Sequence, residues 1–454
     1  MLGEMPMNKL VPKVSIPIMI SMLIQALYNV VDSIFVAKFD PNALTAVSLA
    51  NPMQMLMISL AIGMAVGVNS LISRRLGQRQ AAAARQAAWN GFVIQLCSIL
   101  LFVLIGLFYA RHFIASFSEN PVIQDLGEKY LRICCCGSMG IFMSMLIERM
   151  LQSTGGTIFS MVTQLCGAVT NLILDPILIF GYLGAPRMGI EGAALATVIG
   201  QWCSMIVGFV LNQRHNHELK IKIEDFRIRG SVLKDIFSVG LPSTIMSAIG
   251  SVMIVAMNKL LISYGDEAVS VMGVYFKLQS FVFMPVFGLS NGLVPILGYN
   301  YGAENKARIY EAIKVSLKIA LGIMLLGMLA FQLLPVQLMS LFEAGEAGTL
   351  TEIGVIALRT ISLHFLLAAV VITLSTTFQA IGHGVYSMII SICRQLLVLI
   401  PAAWLLSRLG GRDAIWYAFI IAEVVALIIC LVFFRMCDRK YIRPMGTEKE
   451  GKTA

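Results

Sequence analysis

Twelve stretches of about 20 predominantly apolar residues follow one another along this chain, and each is long enough to cross a hydrocarbon core as a helix. They run over 14–38, 46–72, 88–110, 130–152, 157–182, 190–212, 236–263, 270–297, 312–334, 357–381, 386–406 and 414–436. Lipid offers no partner for backbone N–H and C=O groups, so runs of this length fold as helices. Composition agrees. Of 454 residues, 58% are hydrophobic and 13% charged, with mean hydropathy +0.82. A soluble domain carries about 25% charged residues. The sequence therefore predicts an all-α polytopic membrane protein of twelve transmembrane helices, and it excludes a soluble enzyme or a disordered chain. The net charge of +9 lies in short basic patches between apolar runs, which is how loops at an anionic leaflet look and not how a nucleic-acid surface is built.

Those patches set an orientation. With the N-terminus inside, the inner segments hold 21 Lys and Arg and the outer segments 8. Both termini are thus expected in the cytoplasm. Residues 1–14 carry Lys9 and Lys13 but no small-residue cleavage motif, so no cleavable signal is expected.

The longest polar stretch, 213–235, divides the chain into an N-terminal lobe at 1–212 and a C-terminal lobe at 236–436, with a cytoplasmic tail at 437–454. The halves read as repeats. A shift of 225 lays Pro17 on Pro242, Gln54 on Gln279, Gly63 on Gly288, Gly67 on Gly292 and Pro176 on Pro401. A shift of 227 lays Gln152 on Gln379, Gly155 on Gly382 and Ser160 on Ser387. Each half has six spans, so the two six-helix lobes enter the membrane from the same side and are related by a pseudo-twofold axis along its normal. Two such lobes rocking about a central site is a secondary-transporter plan. The G-x-x-x-G pairs Gly63/Gly67 and Gly288/Gly292 put two glycines on one helix face, where another helix can approach closely.

Acids within spans are costly and need a reason. Asp32 in LYNVVDSIFV and Asp175 in TNLILDPILIF each lie about 18 residues into a span that starts inside, so they share a depth. Gln25, Tyr28, Asn29 and Asp32 share one helix face, and Asn171 and Asp175 another. The expected result is one wet pocket in which two carboxylates take up a proton or Na⁺; the alternative is a pair of buried structural acids. Among other charges, Glu148 and Arg149 either pair or snorkel, Glu423 either couples or bridges to a Lys or Arg, and His364 is a satisfied core histidine more readily than a proton relay.

Enzyme motifs are absent or out of context. His217-Glu218 lacks a second His at 221, and GTEKEGKT at 446–453 matches a phosphate-binding pattern without a preceding strand or a following helix. The nine cysteines form no C-x-x-C and no zinc spacing with His, so neither metal nor disulfide framework is expected.

Asp32 in its LYNVVDSIFV context, the inner loop SRRLGQRQ, Asp175-Pro176 in NLILDPILI and GIEGAALATVIGQ together resemble the multidrug and toxic compound extrusion (MATE) family, nearest its MepA/DinF-type group, over essentially the whole chain. That resemblance implies a V-shaped pair of lobes in a bacterial plasma membrane. It implies a monomer without cofactor that exports small amphipathic, often cationic drugs against H⁺ or Na⁺. It assigns the coupling network to Tyr28, Asp32, Asn171, Asp175 and Thr197, with bending at Pro17 and Pro176; Gln25, Asn29, Gln54 and Gln279 are the cleft candidates. The NorM-type acids of spans 7 and 10 are missing here, where span 7 offers Asn258 and Lys259. A lipid-linked saccharide flippase of the same broad superfamily is the second reading; it would need several cavity Arg or Lys for pyrophosphate. A membrane-embedded enzyme is the third. The Lys/Arg bias makes a direct prediction: single cysteines placed at 184–188 react with an impermeant maleimide added to intact cells, and cysteines in 213–235 do not.

Overall fold

The computed structural model describes side chains for residues 1–27, 45–220, 222, 224–342 and 348–445; for 28–39, 41–44 and 223 it describes the backbone alone. Among the described residues there are seventeen α-helices: α1 (Met7–Phe39), α2 (Pro41–Gly77), α3 (Ala81–Phe108), α4 (Ala110–Ala115), α5 (Pro121–Cys136), α6 (Met139–Ser153), α7 (Thr157–Phe180), α8 (Ile190–His215), α9 (Gly230–Leu261), α10 (Asp266–Gly302), α11 (Lys306–Leu333), α12 (Pro335–Ser340), α13 (Thr349–Ser362), α14 (Phe365–Ala380), α15 (Gly384–Ile392), α16 (Leu399–Ile415) and α17 (Tyr417–Cys437). No strand occurs among the described residues. Among the described residues, ten helical stretches are long and apolar enough to cross a membrane, or up to twelve if each of two bent pairs is one span.

The spans expected at 130–152 and 357–381 are each a bent pair of helices. α5 and α6 meet at 43°, and α13 and α14 at 48°. The breaks fall at Gly137-Ser138 and Leu363-His364, one repeat apart. Each exposes backbone carbonyls that lipid could not satisfy, and neighbouring side chains take them. Trp202 Nε1 donates to Gly137 O at 3.1 Å. Gln332 Nε2 donates to Arg359 O at 2.6 Å, and His364 Nδ1 lies 2.6 Å from Ile361 O. Hydropathy does not register such compensation, so the sequence read each pair as one span. Span 11 is also interrupted, by a π-helical turn at Cys393–Val398 between α15 and α16.

Two compact units emerge from the packing. One comprises Ile20–Thr244, the other Met1–Met19 with Ile245–Ala454. The repeat sets its boundary at 213–235; the packing changes partner inside α1 and inside α9. Glycine contacts give the reason. In the first unit, a methyl group on Gly63 of α2 would stand 2.6 Å from Thr244 Cα, and one on Gly67 would stand 2.8 Å from Gly240 N, both on α9. In the second unit, a methyl on Gly288 of α10 would stand 2.6 Å from Met19 Cα, and one on Gly292 would stand 2.9 Å from Ser15 Cα, both on α1. Backbone meets backbone at both places, as the G-x-x-x-G spacing anticipated. Ser15 Oγ adds a 3.4 Å hydrogen bond to Leu289 O.

Within the first unit, α7 and α8 form a second glycine seam through Gly167, Gly192 and Gly200. The polar segment after α8 is strapped to α3: Arg85 Nε to Asp225 Oδ2 at 2.7 Å, Trp89 Nε1 to Lys222 O at 2.8 Å and Asn90 Nδ2 to Arg227 O at 2.9 Å. Within the second unit, the aromatic core joins Phe283, Phe331 and Phe365 edge to face, with Tyr275 and Trp416 fully buried. Residues 2–5 dock on α11, where Arg308 Nη2 donates to Leu2 O at 3.0 Å and Met5 O at 2.8 Å.

The seams predict an ordering of stabilities. Gly63→Leu and Gly292→Leu insert side chains where backbone already lies and should each cost at least the ~1–3 kcal/mol of core overpacking. Gly273→Ala and Gly322→Ala meet nothing within 4 Å and should be neutral or gain up to ~1 kcal/mol from helix propensity. Thermal unfolding of the four purified variants in detergent measures this.

Candidate functional site

The polar residues of α7 sit on the face that the glycine seam turns toward α8. Asn171 and Asp175 are one helical turn apart and both buried, Asp175 completely. Gly200 brings α8 so close that a methyl there would stand 3.0 Å from Asn171 Cβ. At that distance Asn171 Nδ2 donates to Thr197 Oγ1 at 3.2 Å, and Thr197 Oγ1 donates in turn to Ala193 O at 3.0 Å. Asn171 Oδ1 is buried and makes no hydrogen bond among the described residues, leaving one acceptor available beside the acid. Pro176 follows Asp175 directly. It has no N–H, so the Leu172 carbonyl loses its i+4 donor, while α7 continues unbroken to Phe180.

The structure thus brings together Asn171 and Thr197, with Asp175 one turn away. Tyr28, Asn29 and Asp32 lie outside the residues whose side chains are described, on the helical backbone of α1. Gln25, three residues before them, is exposed. Pro17 is buried and α1 runs through it as one helix. Gln54 turns away from α7: its Nε2 donates to Tyr130 OH at 3.2 Å and to Cys134 Sγ at 3.4 Å, both on α5. Gln279, its repeat partner, lies in the second unit and borders a cavity there.

The other span charges resolve as follows. Glu148 and Arg149 neither pair nor snorkel. Both are buried and no salt bridge joins them; Gln164 Nε2 donates to Glu148 Oε2 at 2.7 Å, and Arg149 Nη1 donates to Gln152 Oε1 at 2.9 Å. Gln152 continues the chain to Ser160 Oγ at 2.8 Å. Glu423 bridges to Arg394 at 3.3 Å, the salt bridge that the sequence offered as one of two outcomes. His364 is buried against Phe365 and Phe419, as a core histidine. GTEKEGKT at 446–453 lies outside the described residues. No group of three or more His, Cys, Asp or Glu among the described residues is arranged to hold a metal.

What the sequence did not reveal is the cavity in the second unit. It holds about 320 Å³ and is bordered by α9, α10, the α13–α14 break, the π-turn and α17. Of the residues that border it, the sequence had singled out Gln279, His364 and Glu423.

The MatE family model matches residues 17–177 and 242–405, one match in each half. The chain belongs to the MatE family. It is similar to the multidrug export protein MepA of Staphylococcus aureus, at 25% identity over 96% of this chain and 95% of that one. The MepA of Staphylococcus saprophyticus is 26% identical over 94% of this chain and 93% of its own. Among solved structures, a MATE protein crystallised in complex with MaL6 superposes with TM-score 0.91 at 28% identity, covering 96% of this chain and 97% of that one. An outward-facing multidrug resistance MATE transporter superposes with TM-score 0.88 at 28% identity, covering 96% of each chain. With its ten to twelve membrane-length helices, this MatE-family chain is a multi-pass membrane protein, and the resemblance read from its residues holds.

The α7–α8 hydrogen bond is testable alone. In membrane helices such bonds couple by about 0.6 kcal/mol on average. A double-mutant cycle of Asn171→Ala and Thr197→Ala is expected to show a coupling of that order in detergent unfolding, and Gln54→Ala combined with Thr197→Ala to show none.

Proposed function

We propose that this chain is a secondary active multidrug exporter that moves amphipathic, cationic compounds out of a bacterial cell in exchange for H⁺ or Na⁺. Its relatives are multidrug export proteins over nearly their whole length, which supports export as the activity. The single observation that carries the mechanism is Asp175, completely buried within a membrane span one turn from the Asn171–Thr197 pair. A carboxylate at that depth is costly to keep charged, so it favours taking up a cation.

In this reading Asp175 and Asp32 share the coupling ion, with Tyr28, Asn171 and Thr197 around it. Drug cation and coupling ion compete for one negative charge. Ion entry from outside neutralises the acids, the polar face of α1 repacks with bending near Pro17, and the drug leaves outward. A neutral α7 face then returns the ion to the cytoplasm, where both termini and the 213–235 linker lie. The protein acts as a monomer in the bilayer, with no cofactor. Exchange of one coupling cation for one drug cation moves no net charge, so the ion's concentration gradient drives it: a tenfold gradient, one pH unit for H⁺, supplies about 1.4 kcal/mol, enough for about a tenfold drug gradient.

The test is efflux of a fluorescent quaternary ammonium dye from cells expressing the chain, with the proton and sodium gradients collapsed separately. Collapse of one of them is expected to stop efflux. Asp32→Asn and Asp175→Asn should each abolish active efflux with near-normal expression, because a neutral amide is cheaper to bury than a charge. Wild-type pumping by both variants would remove the coupling role from α1 and α7.

A further inference from the structure

The second unit carries a cavity with its own charge, and two departures from regular helix converge on it. The π-turn at Cys393–Val398 directs the consecutive residues Arg394 and Gln395 into the cavity. In a regular helix, neighbours in sequence point about 100° apart, and a π-turn inside a span is a frequent mark of a functional site. The break between α13 and α14 brings His364 to the same wall. Both features weaken the helix ladder in a solvent that offers no replacement hydrogen bonds. They fall where an ion pair borders a space of about 320 Å³, the size of a small-ligand pocket.

The ion pair is asymmetric. Glu423 is almost wholly covered, with 5% of its side chain accessible, whereas Arg394 keeps 25%. Only Arg394 Nη1 reaches the carboxylate, at 3.3 and 3.4 Å, which is long for a charge-assisted bond. No other hydrogen bond engages the guanidinium among the described residues, so the Nε and Nη2 donors are unspent. The accessible face of the pair is therefore the cation. Around it stand Phe276, Phe283, Phe287 and Phe419, with Met253 and Met284 as adaptable filling.

We propose that this cavity binds an aromatic carboxylate or sulfonate, whose anionic group takes the free donors of Arg394 while its rings lie against the phenylalanines. A guanidinium offers a planar fork matched to such oxyanions, and a single one already shared with Glu423 suits one negative charge and not a pyrophosphate. Gln279 and Gln395 supply the remaining polar contacts at the rim. The inference rests on the reading of the chain as an exporter of amphipathic compounds and adds to it a second ligand class, recognised in the other unit from the coupling acids of α7. Glu423 is then the resident counter-charge that competes with an entering anion for the same guanidinium. Removing it should make the site bind better.

The experiment uses full-length purified protein and two probes of one shape, 2-naphthoate and 2-naphthyltrimethylammonium. Binding is measured by calorimetry and by the ligand-induced shift in thermal unfolding. Wild type is expected to bind naphthoate, Arg394→Gln to lose at least tenfold in affinity and Arg394→Lys to lose less. Glu423→Gln should unfold at lower temperature without ligand, bind naphthoate at least tenfold more tightly, and regain its lost stability when naphthoate is added. That gain separates a binding role from a structural one, because a merely damaged protein does not acquire affinity. No naphthoate binding by wild type, unchanged affinity in Arg394→Gln, or weakened binding in Glu423→Gln would each overturn the proposal. Efflux of the naphthyl cation by wild type is scored separately: export without naphthoate binding removes this site alone, and naphthoate binding without export removes the exporter reading.

Discussion

Lipid tails are as apolar as leucine, so membrane helices gain little by burying leucine against leucine. What holds them is close backbone approach and the hydrogen bonds lipid cannot supply. In this chain that constraint is met first at two seams, Gly63 and Gly67 on the start of α9, and Gly288 and Gly292 on the start of α1. Each seam binds the first part of a helix to one unit while the rest of that helix packs in the other, so α1 and α9 each change partner along their length. The change comes at Met19/Ile20 and at Thr244/Ile245. Pro17 and Pro242, which are a repeat pair, lie within two or three residues of those points. A proline has already given up one rung of the helix ladder, so a bend there breaks no further hydrogen bond. The positions where the packing changes hands are thus the positions where the two helices deform at least cost.

Much of this was legible in the residues. The apolar runs gave the spans, the near-constant shift gave the repeat, and the G-x-x-x-G spacing pointed to close contacts without naming the partner helices. What escaped was whatever depends on a side chain reaching backward to mend the backbone. Nothing in the hydropathy of 130–152 signals a 43° bend, because Trp202, the residue that takes the freed Gly137 carbonyl, stands some 65 positions away. The π-turn at Cys393–Val398 is invisible for the same reason: its sequence, CRQLLV, has the composition of an ordinary span. The pairing of Glu148 with Arg149 was a poor expectation on helical geometry alone, since neighbours in sequence do not share a face. Of the residues proposed for coupling, the sequence marked Tyr28, Asp32, Asn171 and Asp175 by spacing, whereas Thr197 came only through the family resemblance.

The repeat duplicates the frame and not the chemistry. Gly63 and Gly288, or Gln152 and Gln379, are matched across the halves, but Asp175 falls opposite apolar positions of span 11, and Arg394 and Glu423 have no charged counterparts in the first half. A fold built on backbone contacts permits this, because its stability asks for small residues at seams and places few demands on the side chains elsewhere. Each half is then free to treat membrane charge in its own way.

The two treatments differ in what they can do. An ion pair such as Arg394–Glu423 carries its own counter-charge, so the surrounding lipid sees no net charge and a membrane potential exerts no net force on the pair as a unit. It is suited to selecting a ligand by exchange of partners and poorly suited to following an ion gradient. A carboxylate that alternates between charged and neutral forms does the reverse: it can take up and release a proton, and a proton passing down one pH unit releases about 1.4 kcal/mol. In the proposed exporter the two properties would fall in separate units, so that the ligand site could vary without disturbing the coupling site. This division favours α7 as the seat of coupling and the second-unit cavity as a seat of recognition.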